Sequence, residues 1–211
     1  MQLTVFGATG GTGRHVVRQA LAAGHRVTAV VRDPARLPVP AQDGLTVVTA
    51  QLDDRAAVLG AVEGADAVVD ALGPSASGPS TIMTDAARTI TAAMREADVS
   101  RLVVISASGA HTTGDSLPIR LLVKPVLQRV LRHAFADMRA MEDVVRESEL
   151  DWTIVLPPRL TDKPRTGAVR TRVGANVRGS FSITRADLAT AVLAAATDRA
   201  LRGASLSVAA G

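Results

Sequence analysis

The 211-residue chain contains no cysteine and no tyrosine, and its aromatic side chains are one tryptophan and three phenylalanines. Without cysteine there is no disulfide, no thiolate nucleophile and no zinc site of the cysteine type. The four histidines show no metal-ligand spacing with carboxylates, so we expect no metal. Because so few aromatic rings are available to stack on bases, we expect no nucleic-acid partner.

Long apolar runs are also missing. No stretch approaches the roughly 18 residues that a membrane-spanning helix needs, and Met1 leads directly into a strand pattern rather than a signal segment. We therefore expect a soluble cytoplasmic protein with no membrane partner. Its partner would be a small molecule, and the chain would be a monomer or a small homo-oligomer.

Positive charge is concentrated in one part of the chain. The net charge is +4, yet residues 156–185 hold seven basic side chains and one acidic one, Asp162. This segment is either a solvated basic surface or an electrostatic funnel for an anionic ligand.

Short β-branched runs alternate with segments of helical periodicity along the chain. This alternation predicts one α/β domain over residues 1–211, with a doubly wound parallel sheet of the Rossmann kind and strand order 3-2-1-4-5-6. After Pro158 an irregular part of loop and short strands, which extends to the predicted helix 185–197, is expected to cover the substrate. The predicted strands are 3–6, 26–31, 45–50, 67–72, 102–106, 152–156 and 205–209, and the predicted helices are 14–23, 56–62, 81–97, 126–147 and 185–197.

Three glycines lie at three-residue spacing between the first strand and the first helix. Gly7, Gly10 and Gly13 stand in the run Gly-Ala-Thr-Gly-Gly-Thr-Gly. Glycine there lets the chain turn sharply, approach a pyrophosphate and pack the helix on the strand, while the helix N-terminus attracts the phosphates. The alternative is a tight turn without a ligand. The position of the motif favours a nicotinamide dinucleotide.

The end of the second strand selects between NADP and NAD. An acidic side chain there would bind the ribose hydroxyls, whereas an arginine would face a 2′-phosphate. Arg32 occupies this place and is followed by Asp33 and Arg36, so a ribose-binding Asp33 is the alternative. Two arginines suit a phosphate better, so we predict NADP(H), with NAD(H) as the less favoured cofactor.

These segments resemble the NAD(P)-binding, NmrA-like atypical short-chain dehydrogenases, and most closely the biliverdin-IXβ and flavin reductases. Similarity covers nearly the whole chain. The matching stretches begin at Gly7, Val31, Thr81, Val103, Val145 and Leu156, the last reading Leu-Pro-Pro-Arg-Leu-Thr-Asp-Lys-Pro-Arg-Thr-Gly.

The resemblance implies a set of cofactor-binding residues. Thr9, Gly10 and Thr12 would contact the phosphates, and Arg32 and Arg36 the 2′-phosphate. Two departures affect the detail: Gln51 replaces an aspartate often found beside the adenine, and Arg159 replaces a histidine near the substrate. The full predicted set is Gly7, Thr9, Gly10, Gly11, Thr12, Gly13, Arg32, Arg36, Gln51, Leu52, Asp53, Leu72, Gly73, Ser106 and Pro157.

The missing tyrosine limits the chemistry. Many short-chain dehydrogenases protonate an alkoxide with a tyrosine placed four residues before a lysine, and this pair is absent here. Reduction of a flavin or a similar conjugated ring needs less help, because the protein mainly positions the rings. We predict an NADPH-dependent reductase of such planar, possibly anionic, substrates, with Ser108, His111 and Arg159 as the candidate catalytic residues.

Two other functions stay open at the level of sequence. The chain would serve as a non-catalytic NAD(P)-binding redox sensor of the NmrA type, or as a tailoring reductase or epimerase of secondary metabolism on the same scaffold. In the tailoring enzyme Ser108 or His111 would be the acid.

Overall fold

The computed structural model describes residues 1–74 and 78–211. Ten strands and six α-helices make up the regular structure of this part of the chain. The strands are β1 Gln2–Phe6, β2 Arg26–Val31, β3 Leu45–Thr49, β4 Ala67–Asp70, β5 Arg101–Ile105, β6 Asp151–Leu156, β7 Arg159–Thr161, β8 Val169–Val173, β9 Ser182–Thr184 and β10 Ala204–Ala210. The helices are α1 Gly13–Ala22, α2 Arg55–Val62, α3 Ile82–Glu96, α4 Lys124–Val130, α5 Arg132–Arg146 and α6 Arg185–Thr197.

An eight-stranded sheet runs in the order β3-β2-β1-β4-β5-β6-β10-β8. The predicted order 3-2-1-4-5-6 is confirmed, and the neighbouring strands of that part pair in parallel. Strand β10 continues the parallel sheet beside β6, and β8 closes the edge antiparallel to β10. Because the parallel strands all end at one edge, the loops that follow β1, β2, β4 and β5 gather there.

Helices cover both faces of the sheet. One apolar cluster forms where α2, α3 and α5 pack, and the other where α1 and α6 pack. Successive strand residues alternate between the two, as Val68 and Val69 do, so both faces are buried. This two-sided burial explains the near-continuous apolar runs of the strands. No helix in the described residues combines the length and the apolar character needed to cross a membrane.

The structure differs from the sequence prediction between residues 117 and 147. The single helix predicted over 126–147 is two helices, α4 and α5, separated at Leu131, whose backbone leaves the helical region at φ −101° and ψ 23°. A π-helical turn at Ile119–Val123 precedes α4. The two helices have different surroundings, because α5 packs on α3 while much of α4 faces solvent.

Between Pro158 and α6, where a loop and short strands are predicted, the structure has three short strands. Strands β7 and β9 form a separate parallel pair, and β8 belongs to the main sheet. Two arginines alternate with uncharged residues along β8, Val-Arg-Thr-Arg-Val. Such charged side chains suit an edge strand that faces water.

Candidate active site

The glycine loop forms a narrow turn between β1 and α1. Gly7 has φ +71°, and a Cβ added there would lie 2.7 Å from the carbonyl carbon of Ala71. A Cβ at Gly13 would lie 2.1 Å from the carbonyl oxygen of Gly7. The Gly10 N–H donates to the Gly7 carbonyl oxygen at 2.9 Å. The loop therefore requires glycine at 7 and 13, for the close approaches that the motif predicts.

The start of α1 faces this loop without an acidic side chain in its first turn. Thr12, at the N-cap position, makes no side-chain capping hydrogen bond, so the helix N-terminus keeps backbone N–H groups for a ligand. Gly11 lies under the guanidinium of Arg185: a Cβ at Gly11 would be 2.5 Å from Arg185 Nε.

Two arginines flank the glycine loop and share one carboxylate. Arg185 Nη1 donates to Asp162 Oδ2 at 3.0 Å, and Arg14 Nη2 lies 3.6 Å from Asp162 Oδ1. Their positive charge adds to that of the helix terminus. Sequence analysis did not assign either residue to the cofactor, because Arg185 meets Gly11 across 174 residues and Arg14 meets Asp162 across 148.

The loop after β2 holds the residues predicted to select the cofactor. Asp33 Oδ1 accepts a hydrogen bond from the Ala35 N–H at 3.0 Å and so begins a short 3₁₀ turn over Pro34–Arg36. Arg32 and Arg36 are exposed, and within the described residues neither forms an ion pair. The carboxylate is thus engaged locally while both guanidinium groups remain accessible.

Residues 51–53 follow β3 beside this loop. The Ala50 N–H donates to the Val31 carbonyl at 3.0 Å, which brings the start of this segment against the end of β2. Gln51 and Asp53 are exposed and Leu52 is half-buried. Contact of these residues with an adenine stays a prediction.

The end of β4 carries a buried carboxyl group next to Leu72 and Gly73. Asp70 is 3% exposed and accepts a hydrogen bond from the Leu72 N–H at 3.0 Å. Burial raises the pKa of Asp70 to about 7, although the hydrogen bond from Leu72 acts in the opposite direction. The Leu72 backbone lies against Gly7, so this group adjoins the glycine loop.

The segment after β5 lies against the end of β6, which brings the predicted residues Ser108 and Pro157 together. The Ser108 N–H donates to the Pro157 carbonyl at 2.9 Å, and the Ser106 N–H donates to the Val155 carbonyl at 2.9 Å. Ser108 begins a 3₁₀ turn over Ser108–Ala110 and lines a pocket, as Pro157 does. Ser106 is buried, and its hydroxyl is directed to a carboxylate on α5 instead.

That carboxylate is Glu142, which is fully buried and which sequence analysis missed. Ser106 Oγ donates to Glu142 Oε1 at 2.5 Å, His111 Nε2 lies 2.9 Å from the same oxygen, and Arg146 Nη2 donates to Oε2 at 2.6 Å. Burial alone would raise the pKa of Glu142, but the hydrogen bonds from His111, Ser106 and Arg146 lower it below its usual value. The carboxylate is therefore an ionised hub that ties α5 to the segment after β5.

A second polar cluster holds the other side of the Ser108 turn. The buried Lys124 amine donates to the carbonyl oxygens of Ser108, at 2.5 Å, and His111, and it lies 3.3 Å from Asp115 Oδ2. Asn176 Nδ2 donates to Asp115 Oδ1 at 3.0 Å and to the His111 carbonyl at 3.2 Å. Burial lowers the pKa of Lys124, while Asp115 opposes this shift. The Lys124 amine and the Asn176 amide therefore both hold the backbone of the Ser108 turn in place.

A pocket of about 610 Å³ opens beside Ser108. Most of its wall is apolar, and the polar groups are few, as is usual for small-molecule sites. Arg159 lies on the wall, and its contact with a substrate stays a prediction. His111 does not line this pocket, because its ring faces Glu142. The apolar wall includes Ile119, Val123, Leu127, Leu131, Phe135, Pro158 and Phe181.

A sequence-family comparison identifies the fold's cofactor class. The model of a family described as NAD(P)H-binding matches residues 7–199. The chain belongs to this family. Its glycine loop, helix terminus and nearby arginines fit a dinucleotide diphosphate, so the predicted membership and the cofactor class are confirmed.

Known proteins with similar sequences or structures support the same class. Protein YwnB of Bacillus subtilis is 28% identical over 199 residues, covering 92% of this chain and 91% of that protein. The anaerobillin reductase ChuY of Escherichia coli O157:H7 has a TM-score of 0.81 at 25% identity, covering 100% of this chain and 97% of that one. A short-chain dehydrogenase/reductase of Veillonella parvula, solved with NADP, has a TM-score of 0.82 at 18% identity, covering 99% and 94%. The protein is thus an NAD(P)H-binding member of an oxidoreductase-like fold.

Proposed function

We propose that the protein is an NADPH-dependent reductase that transfers hydride to a flavin or a similar conjugated ring. The observation that carries this proposal is the apolar pocket beside Ser108, at the same sheet edge as the glycine loop. A dinucleotide bound at the loop would extend along this edge, and the pocket has the size and apolar walls that a planar ring system needs.

NADPH is proposed over NADH because of the loop after β2. A 2′-phosphate would meet Arg32 and Arg36, and a charge-assisted pair with a guanidinium suits a phosphate dianion. Asp33 would otherwise compete as a ribose ligand, but its Oδ1 already accepts from the Ala35 N–H. The arrangement thus favours the phosphorylated cofactor.

Reduction of the ring requires one hydride and one proton. NADPH, held at the glycine loop, would supply the hydride with both electrons and leave as NADP⁺. The chain's own residues supply position: the Ser108 turn, held by Lys124 and Asn176, forms the wall beside the ring. The proton is taken from water at the open side of the pocket, because His111 faces Glu142 and no tyrosine exists in the chain. Such a site would accelerate the reduction by holding the two rings close together rather than by acid catalysis.

Charge on the pocket wall supports an anionic substrate. Arg159 and Arg178 both line the pocket. Arg178 Nε donates to the Gly114 carbonyl at 2.8 Å, which fixes its direction. A substrate carboxylate or phosphate would pair with these groups while its rings occupy the apolar part.

The test is NADPH oxidation at 340 nm by the purified protein with FMN, biliverdin and a water-soluble quinone offered separately. We expect turnover with at least one of them, and a higher KM for that acceptor in Arg159→Gln with little change in the Kd for NADPH. Arg139→Gln, a change of an exposed arginine on α5, is the matched control. Binding of NADPH without oxidation for any acceptor would refute the reductase.

A redox-sensing regulator is the second candidate, and one observation favours it. The chain has no tyrosine, and the Lys124 amine is already engaged by the Ser108 and His111 carbonyls and by Asp115. A sensor would bind NADP and NADPH with different affinity and change its own stability accordingly. Calorimetry with both redox forms, alongside the oxidation assay, separates the two functions. A tailoring reductase or epimerase would instead turn over ketones or sugars and none of the ring acceptors.

A further inference from the structure

One wall of the pocket is a helical segment whose outer surface is also apolar. We call residues 117–132 the mouth segment; it comprises the π-helical turn, α4 and the residues next to them. Ile119, Val123, Leu127 and Leu131 recur every four residues and line the pocket. Four-residue spacing places side chains on one face of a helix, so this face belongs to the pocket.

The opposite side of the mouth segment exposes large apolar side chains to solvent. Leucine and valine side chains there, together with Val123 at the edge of the pocket, are between 56% and 73% exposed. Scattered apolar residues are common on protein surfaces, but six large exposed ones within fourteen consecutive residues mark a binding surface. The group consists of Leu117, Leu121, Leu122, Val123, Val126 and Val130.

The charges of the mouth segment all have one sign. No acidic residue occurs between Asp115 and Asp137, while Arg120, Arg129 and Arg132 are exposed. Two copies of the chain joined through this surface would bring like charges together, which opposes a homodimer there. Basic residues beside exposed leucine and valine are instead the pattern of helices that lie in the interface of an anionic membrane.

The other side of the pocket opening has the same character. Phe181 is 66% exposed and lines the opening together with Arg178. The apolar and basic surface therefore surrounds the opening rather than ending at the mouth segment. A planar surface of opposite charge would contact both sides at once.

We propose that the mouth segment and the Phe181 side of the opening dock on the surface of an anionic lipid bilayer. The leucine and valine side chains enter the headgroup region, the arginines contact lipid phosphates, and the pocket opening faces the lipid. A ligand whose ring system lies in the bilayer and whose anionic group lies among the headgroups would then reach the pocket directly. This inference revises the sequence expectation of no membrane partner, which considered only segments that span a bilayer. It is independent of the reductase function.

The test is sedimentation of the full chain with vesicles of phosphatidylcholine alone or of equimolar phosphatidylcholine and phosphatidylglycerol. We expect binding to the mixed vesicles that weakens as salt is raised, and little binding to phosphatidylcholine. Arg129→Gln should weaken the partition coefficient about fivefold, the equivalent of roughly 1 kcal/mol for a basic residue near such a surface.

The double change Leu121→Ser and Leu122→Ser should abolish binding to the mixed vesicles. The matched control is Val47→Ser, at an exposed position of β3 outside the mouth segment. Circular dichroism and bound NADPH would check that each variant is folded. Equal binding to both vesicle types, unchanged binding of the leucine double variant, or a concentration-dependent dimer that the same double change dissociates would overturn the proposal.

Discussion

His111 Nε2 lies 2.9 Å from Glu142 Oε1, on a buried carboxylate that also accepts the Ser106 hydroxyl at 2.5 Å. The two contacts join α5 to both ends of the segment 106–111, which carries Ser108 at its centre. Glu142 is therefore a positioning residue for the pocket wall, and the His111 ring is part of the same support. A direct role of His111 in proton transfer stays a prediction from the sequence, and the geometry favours support.

Glu142→Gln should lower the free energy of unfolding by roughly 1.5 to 3 kcal/mol near neutral pH, the usual range for hydrogen bonds to a charged group. Folding lowers the pKa of Glu142 from the unfolded value near 4.5. The ionised carboxylate therefore stabilises the fold fully above pH 4.5, and this stabilisation is lost as the pH falls through the pKa of the folded state. Urea unfolding at several pH values would measure the difference between the variant and the unaltered protein. The difference should shrink only in acid.

The control for this change is Asp143→Asn, since the exposed Asp143 also contacts Arg146, at 3.2 Å. Exposed pairs of this kind contribute at most about 1 kcal/mol. If Asp143→Asn destabilised the protein as much as Glu142→Gln, the buried hydrogen-bond hub would not be the cause.

His111→Gln distinguishes support from acid catalysis, given a reductase assay. A lost general acid usually costs about 100-fold or more in rate. We expect a loss well below that, and a pH profile of kcat whose shape is unchanged, because the proton comes from water. Steady-state rates between pH 5.5 and 9 would measure it. A large loss together with a vanished ionisation in the profile would make His111 the proton donor.

Asp70→Asn should stabilise the protein at alkaline pH. The folded pKa of about 7 lies above the unfolded value of 3.8, so the folded state holds a proton that the unfolded state releases. Stability is therefore full below about pH 4 and falls as pH rises through 7. The change removes this loss, which is roughly 4 kcal/mol at most at 1.36 kcal/mol per pKa unit, and the asparagine oxygen still accepts from the Leu72 N–H.

Thermal unfolding of both proteins at pH 5 and pH 8.5, without dinucleotide, would test this expectation. The variant should melt higher at pH 8.5 and its advantage should be much smaller at pH 5. Asp66→Asn is the control, because Asp66 is exposed. An advantage of the same size at both pH values would argue against titration of Asp70.

Local sequence signals predicted the cofactor half of the molecule. The glycine run from Gly7 to Gly13 joins adjacent elements, so its spacing together with its position between a strand and a helix indicated the turn and its ligand. The alternation of strands and helices predicted the order of the first six strands, because crossovers in parallel sheets follow one hand. Arg32 was located in the same way, by its distance from the end of the glycine loop.

The substrate half depended on contacts between distant segments. Glu142 meets Ser106 across 36 residues, and Arg185 covers Gly11 from the far end of the chain. Neither contact leaves a periodic signal in the sequence. The break at Leu131 was also missed, since the apolar spacing of residues 126–147 suits one continuous helix. The helix divides because α5 packs on α3 while much of α4 faces solvent.

Arg32→Ala should weaken NADPH far more than NADH. Loss of a charge-assisted contact costs roughly 1.5 to 3 kcal/mol, and only the phosphorylated cofactor would make that contact. Titration calorimetry with both cofactors would measure the two changes. Arg18→Ala is the control, since Arg18 is also exposed and bonds the Pro38 carbonyl instead. Equal weakening of NADPH and NADH would reverse the choice of cofactor.

Gly13→Ala should abolish dinucleotide binding, whereas Gly60→Ala should leave it intact. The added Cβ at Gly13 would lie 2.1 Å from the Gly7 carbonyl oxygen, so the turn would have to open and the N–H groups expected to face a diphosphate would move. Gly60 is in α2, where an added Cβ meets nothing within 4 Å, so alanine there should stabilise the helix by roughly 0.5 to 1 kcal/mol. Thermal shift with and without NADPH measures both effects in one experiment. The Gly13 variant should melt at the same temperature with and without NADPH, and the Gly60 variant should keep its full ligand-dependent shift. Retained NADPH stabilisation in Gly13→Ala would mean that the dinucleotide is held elsewhere, because the contracted turn between β1 and α1 cannot accommodate that Cβ and keep its shape.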